Sequence, residues 1–132
     1  MGGENKAGKY EIRVNVGGGQ SRAWDGNVWL GDKEYSAGSC GCLDSPTTDA
    51  QSTDDQIGGT GIPEIYRSMR VGEKFRYRFD VPNGTYLVNL MFAEIYWETS
   101  DAEQQEVLVQ GKRVLSKFNI FDLVGHDTAY EK

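Results

Sequence analysis

Residues 10–16, "YEIRVNV", alternate: Tyr10, Ile12, Val14 and Val16 on one face, Glu11, Arg13 and Asn15 on the other. That period of two predicts a half-buried strand. Gly17-Gly18-Gly19 then ends it with a tight backbone bend. No helix pattern and no Walker or dinucleotide spacing follows, so the glycines do not read as a phosphate cradle. From there to about Ile62 the chain is polar and rich in Gly and Asp, with isolated rings at Trp24, Trp29 and Tyr35. Such a stretch without periodicity is expected to be functional or loosely ordered, its "GCLDSPTTDAQSTDDQIGGTG" part most of all. Strand patterns resume at "EIYRSMR" and at "EKFRYRFDV", where Phe75, Tyr77, Phe79 and Val81 share a face. The "VPNGT" turn predicts a hairpin into "TYLVNLMFAEIYW". In that last run Tyr86, Val88, Leu90 and Phe92 share one face while Leu87 and Met91 flank Asn89 on the other. A central strand of a sandwich, covered on both sides, carries such a pattern. "EVLVQGKRVL" predicts a second hairpin around Gly111, and "FNIFDLVGHDTAYEK" closes the chain.

Short strands, glycine-rich turns and hardly any helical periodicity predict an all-β, antiparallel sandwich. With 132 residues the chain has the size of one domain. Residues 1–9 are expected to be a flexible N-terminal segment or a domain-boundary remnant, and 10–132 the domain. The net charge of −6 and the scattered Lys and Arg provide no cationic footprint for nucleic acid. No apolar run is long enough to span a bilayer as a helix, so direct membrane insertion is not expected, and 1–9 lacks a signal-peptide pattern.

Candidate chemistry is sparse. Cys40 and Cys42, one residue apart, neither suit a mutual disulfide nor complete a zinc site, and read as free or partner-linked thiols in a loop. Asp44, Asp49, Asp54 and Asp55 miss the EF-hand spacing, and no metal or cofactor is expected. His126 is the one histidine, and no nucleophile signature surrounds it. Asn83-Gly84-Thr85 fits a glycosylation sequon, but the same residues serve the turn. Glu94, between Phe92 and Tyr96, is the most interesting carboxylate. Adjacent rings at Tyr96 and Trp97, where a strand gives out, suit a sugar-binding surface: the ring covers a C–H face and polar neighbours pair with hydroxyls. Core packing is the competing account of each ring.

"IRVNVGGG", "FRYRFDVPNGTYLVNLMFAEIYW", "VLVQGKRVLSKFNIFD" and "VGHDTA", in that order and spacing, resemble the malectin domain family. The resemblance implies a jelly-roll β-sandwich of the galactose-binding-like type, and a non-catalytic lectin function directed at di-glucose units of glycans. Its adjacent aromatic pair falls on Tyr96 and Trp97, an earlier binding tyrosine on Tyr35, and Glu94, Asp32, Trp24 and Trp29 stand where they could shape the site. The implied partner is a glucose-containing oligosaccharide, and the implied compartment is the endoplasmic reticulum or the exterior. Three departures stand out. Val71 replaces a binding tyrosine after Arg70, and Gln105 replaces a buried phenylalanine. The resemblance also implies further strands and a sugar-binding carboxylate beyond Lys132, so that another segment or chain would complete the sheet. The alternative function is therefore a structural or protein-interaction module that keeps the sandwich with a degenerate sugar site.

Overall fold

The computed structural model describes residues 2–5, 11–44, 46, 48–96 and 105–132; Tyr10, Trp97, Glu103 and Gln104 lie outside them. In chain order the strands are β1 (Gly2–Asn5), β2 (Glu11–Asn15), β3 (Ser21–Arg22), β4 (Val28–Gly31), β5 (Cys40–Cys42), β6 (Asp49–Ser52), β7 (Ser68–Val71), β8 (Tyr77–Phe79), β9 (Tyr86–Asn89), β10 (Met91–Ala93), β11 (Gln105–Val109), β12 (Lys112–Phe118) and β13 (Ala129–Glu131). A 3₁₀ turn, Pro63–Tyr66, and a short helix α1, Ile120–Val124, interrupt them. The all-β sandwich expected from the pattern is what forms. Its largest sheet runs β3-β4-β2-β1-β9, and the pairs β10-β13, β11-β12, β5-β8 and β6-β7 make the rest. Among the described strands pairing is antiparallel except between β2 and β4, where Val14 faces Leu30.

The strand β10 separates two clusters. Met91, Ala93 and Ile95 join Ala23, Trp29, Ile57, Ile65 and Tyr66, whereas Phe92 packs on Phe118 (ring centroids 4.9 Å), which in turn meets Tyr130 (5.5 Å). Both faces of β10 are thus covered, whereas β9, expected in the same central strand, is the outer strand of its sheet with Leu87 and Val88 exposed.

Several elements depart from the pattern, each for an identifiable reason. The β11–β12 hairpin forms because Gln110 (φ 52) and Gly111 (φ 77) both take the left-handed conformation a two-residue hairpin needs. Neither Asn83 nor Gly84 takes positive φ, and no hairpin forms there; β8 pairs with β5 and β9 with β1, so 80–85 crosses between sheets. The polar region 17–62 contributes β3 to β6, strands of two to four residues that are too short to show a period. Cys40 and Cys42 belong to β5, not to a loop, and both are buried free thiols, which removes them from a partner's reach. Pro63 starts a 3₁₀ turn where a strand was expected. Near the C-terminus Asn119 caps α1 by accepting the Asp122 N–H (3.1 Å). Gly2–Asn5, within the segment expected to precede the domain, pairs on both sides as β1. Main-chain pairing needs no apolar side chains, so its Gly-Gly-Glu-Asn sequence does not announce a strand.

Phe118, only 6% exposed, joins the second cluster. Phe118→Ala is expected to cost about 3–5 kcal/mol, measured as the loss of unfolding free energy in urea at constant m-value.

Candidate functional site

Two of the expected sugar residues, Asp32 and Tyr35, follow β4, and Glu94 and Tyr96 lie where β10 ends. Asp32 follows β4 and has a side chain only 4% exposed. Its Oδ2 accepts from the Gly17 amide (2.7 Å), Arg70 Nη2 (2.6 Å), Arg70 Nε (3.0 Å) and the Tyr77 hydroxyl (2.7 Å). Arg70 also donates through Nη1 to Thr48 Oγ1 (2.8 Å). Burial would lower the Arg70 pKa, but its bonds to Tyr77 and Asp32 outweigh this and raise it, so the guanidinium stays charged. The Tyr77 hydroxyl is pushed well above its ordinary value, chiefly by burial and then by donating to Asp32. Asp32 was expected to face sugar, yet it faces inward and acts as a pin.

Three residues further on, Tyr35 lies against β5: its amide donates to the Cys42 carbonyl (3.0 Å), and the Cys42 amide to Lys33 (2.8 Å). Gly41 makes this approach possible, since it sits at φ +152 and a Cβ there would come within 2.5 Å of Glu34 and Tyr35 backbone atoms. The half-buried Tyr35 ring has its hydroxyl donating to Asp80, and the Arg78 guanidinium stands 5.3 Å from the ring centroid. Asp80 also accepts from the Gly38 amide (2.8 Å) and from Arg78 Nε (3.0 Å). The Tyr35 bond, the Gly38 amide and Arg78 together hold the Asp80 carboxyl below its ordinary pKa, and the same bond raises Tyr35.

At the other expected position the strand β10 gives out. Glu94 is bridged to His126 and is 4% exposed. Ile95 enters the first core cluster, and the chain then bends at Tyr96, which is 61% exposed. The Glu94 carboxylate accepts the Tyr96 amide (3.3 Å), so this carboxylate, also expected at the sugar surface, supports the bend from below. Trp97, expected as the second ring, lies outside the described residues. Trp29 is buried in the core, while Trp24 is 87% exposed at the tip of the β3–β4 turn. Val71 is half-buried on β7, and Gln105 pairs with Phe118 at the start of β11.

Some functional candidates carried no sequence signal. Asp80 and Arg78 lie more than forty positions from Tyr35, and Tyr77 as far from Asp32. Glu64, whose Oε1 accepts the Trp24 amide (2.7 Å), is forty positions away. Asp55, His126 and Asp127 bring possible metal-ligand atoms within 4.8 Å of one another, and His126 Nε2 lies 3.3 Å from Asp127 Oδ2. These donors would suit a divalent ion of the first transition row.

The described residues form an all-β sandwich that exposes Tyr96 where β10 ends and Trp24 in the β3–β4 turn. The Malectin domain family matches residues 10–132, and the chain belongs to that family. Malectin-B of Xenopus laevis is 34% identical over 71 residues, 52% of this chain and 25% of that protein. Human malectin is 34% identical over the same length, 52% of this chain and 24% of its own. Those matched stretches span about a quarter of either relative. Among solved structures, the fold is similar to part of Bacteroides uniformis beta-glucuronidase (TM-score 0.80, 25% identity), covering 93% of this chain and 14% of the enzyme's. A second structure of a Bacteroides uniformis beta-glucuronidase, covalently bound to an aziridine, agrees (TM-score 0.79, 25% identity, 94% and 14%).

Asp32→Ala strands the Arg70 guanidinium in the interior and is expected to cost about 3–5 kcal/mol, read from the urea midpoint. The Asp80 carboxyl is expected to titrate below 3.8 in the folded chain. Because its folded pKa is the lower one, the stabilising contribution is complete above the unfolded value and disappears as pH falls through the folded one. A carbon-detected NMR titration of the Asp80 carboxyl checks this; a midpoint at or above 3.8 would contradict the clasp.

Proposed function

We propose that this domain is a non-catalytic carbohydrate-binding module for α-linked glucose disaccharides or glycans that carry them. The observation that carries the reading is Tyr96, a ring 61% exposed on a bend whose amide is held by the buried Glu94, in a chain of the Malectin domain family. An exposed ring on a backbone held in this way offers a flat apolar surface to a pyranose, and the held backbone lowers the entropic cost of binding. In this reading Tyr96 and Trp97 stack on the sugar and Tyr35 lies against it, while Asp32 and Glu94 keep the loops that carry the rings in place. The similarity to a small part of a glucuronidase supports the role of an accessory domain. Chemistry on the sugar would belong to another domain.

A second reading has its own observation. β9 is the outer strand of its sheet, and a groove of about 300 Å³ beside it is lined by Tyr86, Val88, Leu90, Val109, Val114 and Lys132. An extended segment of another chain could add to that edge, which would make the domain a protein-interaction module.

Titration with maltose or nigerose, followed by NMR shifts, separates the two. Saturable binding is expected, and Tyr96→Ala should weaken it about two- to tenfold, the range an aromatic contact supplies. A Tyr96→Ala, Trp97→Ala double variant should abolish it. No shifts at millimolar sugar, together with a dimer or hetero-complex on a sizing column, would favour the interaction reading.

A further inference from the structure

Just before β13 the chain pairs with two different segments in three residues. His126 bridges Glu94 at the end of β10, and Thr128 bridges Gly58. Between them the Asp127 amide donates to the Glu94 carbonyl (2.9 Å), and the Asp127 carbonyl accepts the Gly58 amide (2.9 Å). The Ala129 amide donates back to the Gly58 carbonyl (2.9 Å). The approach is close: a Cβ at Gly59 (φ +76) would stand 3.2 Å from Thr128 Cγ2. Main-chain bonds on both sides thus fix 126–128.

Asp127 makes this change of partner at φ 52. Among the described residues Gln110 is the other non-glycine with positive φ, and it serves the β11–β12 hairpin. Neighbouring side chains on an extended strand point to opposite faces. The left-handed turn at Asp127 breaks that alternation, and His126 Nε2 and Asp127 Oδ2 stand 3.3 Å apart, their side chains 24% and 18% exposed.

Asp55 brings a third donor from the loop that precedes Gly58. Its amide donates to Thr53 Oγ1 (3.1 Å) and its carbonyl accepts Arg67 Nε (2.9 Å), while Ile57 anchors the loop in the first core cluster. One ligand atom from each of Asp55, His126 and Asp127 lies within 4.8 Å of the others. Ligand atoms about 2.1 Å from a zinc ion stand about 3.4 Å apart at the tetrahedral angle. The His126–Asp127 pair already has that spacing, and the exposed Asp55 side chain reaches it by a movement of about 1.5 Å. A protonated imidazole carries one positive charge against two carboxylates, whereas a divalent ion balances both. Imidazole with carboxylate selects zinc and its first-row neighbours, because calcium and magnesium take oxygen ligands.

We propose that Asp55, His126 and Asp127 form a zinc-type metal site, one ion per chain with water completing the coordination, which clamps the 53–58 loop onto 126–128. The ligands come from two segments far apart in the chain, so no linear motif announces them. The site stands independently of the carbohydrate-binding reading.

The test is calorimetric titration of the tag-free chain with zinc chloride, paired with NMR of the imidazole of His126, the one histidine. One zinc ion is expected to bind per chain, to shift the imidazole signals and to raise the melting temperature with increasing zinc. Asp55→Asn and Asp127→Asn should each weaken binding at least about tenfold. Asparagine tolerates the left-handed conformation at 127, and position 55 is exposed, so both variants are expected to melt with wild type in EDTA. Should Asp127→Asn fail to fold, Asp55→Asn decides alone. The proposal is overturned by the absence of saturable binding at millimolar zinc, by zinc binding that leaves the His126 signals in place, or by calcium chloride binding more tightly than zinc chloride. Zinc affinity unchanged in Asp55→Asn overturns it as well, and zinc held by Cys40 and Cys42 would give that result.

Discussion

The buried ion pair between Asp32 and Arg70 is the constraint on which the mutual placement of five segments depends. One carboxylate oxygen collects donors from Gly17, Arg70 and Tyr77, and through Arg70 it reaches Thr48. These residues come from the end of β2, the end of β4, β7, β8 and the approach to β6, five segments in three different sheets. Apolar burial alone fixes such short strands poorly, because two to four residues present at most two side chains to a core. A hydrogen-bonded charge specifies direction as well as proximity, and its removal leaves a partner whose solvation cannot be recovered inside. Position is thereby transmitted along the chain: Asp32 precedes Tyr35 by three residues, and Arg70 adjoins Val71.

Tyr35 shows how far that positioning goes. Its hydroxyl is engaged by Asp80, the Arg78 cation stands over its ring, and its backbone rests on β5 where only a glycine fits. A ring held in this way is fixed in position. Tyr96 differs: its amide donates to Glu94, the buried Ile95 precedes it, and it is largely exposed. The sandwich thus combines a half-buried ring bonded through both hydroxyl and backbone with a largely exposed one.

The parts of this design legible in the sequence are those governed by short-range pattern. The alternation of 10–16 and of 86–92, and the Gly111 turn, correspond to β2, to β9 and β10, and to the β11–β12 hairpin. Three of the four motifs for the malectin resemblance overlap these same segments. What failed to show was whatever depends on distant partners. Asn83-Gly84 has the composition of a hairpin turn, yet the strands on either side find other neighbours, and tertiary pairing overrides local preference. Asp32 and Glu94 stand out as polar residues near rings. Only the packing shows that each faces inward, because burial of a carboxylate is decided by donors such as Arg70 that the local sequence does not contain.

The buried Glu94 explains why the strand stops where it does. Leu90, Phe92 and Glu94 share one parity and are wholly or partly buried, so the face that holds Phe92 against Phe118 continues as far as a carboxylate. Another apolar residue at position 94 would extend that face and favour a straight strand, with the next residue of the same parity, Tyr96, drawn onto it. A carboxylate instead needs donors, and the Tyr96 amide is one of them. Accepting that amide two residues ahead is a local turn geometry, incompatible with continued extension. The polar residue within the strand therefore turns the chain outward at Tyr96, while Ile95 keeps the bend anchored in the opposite cluster.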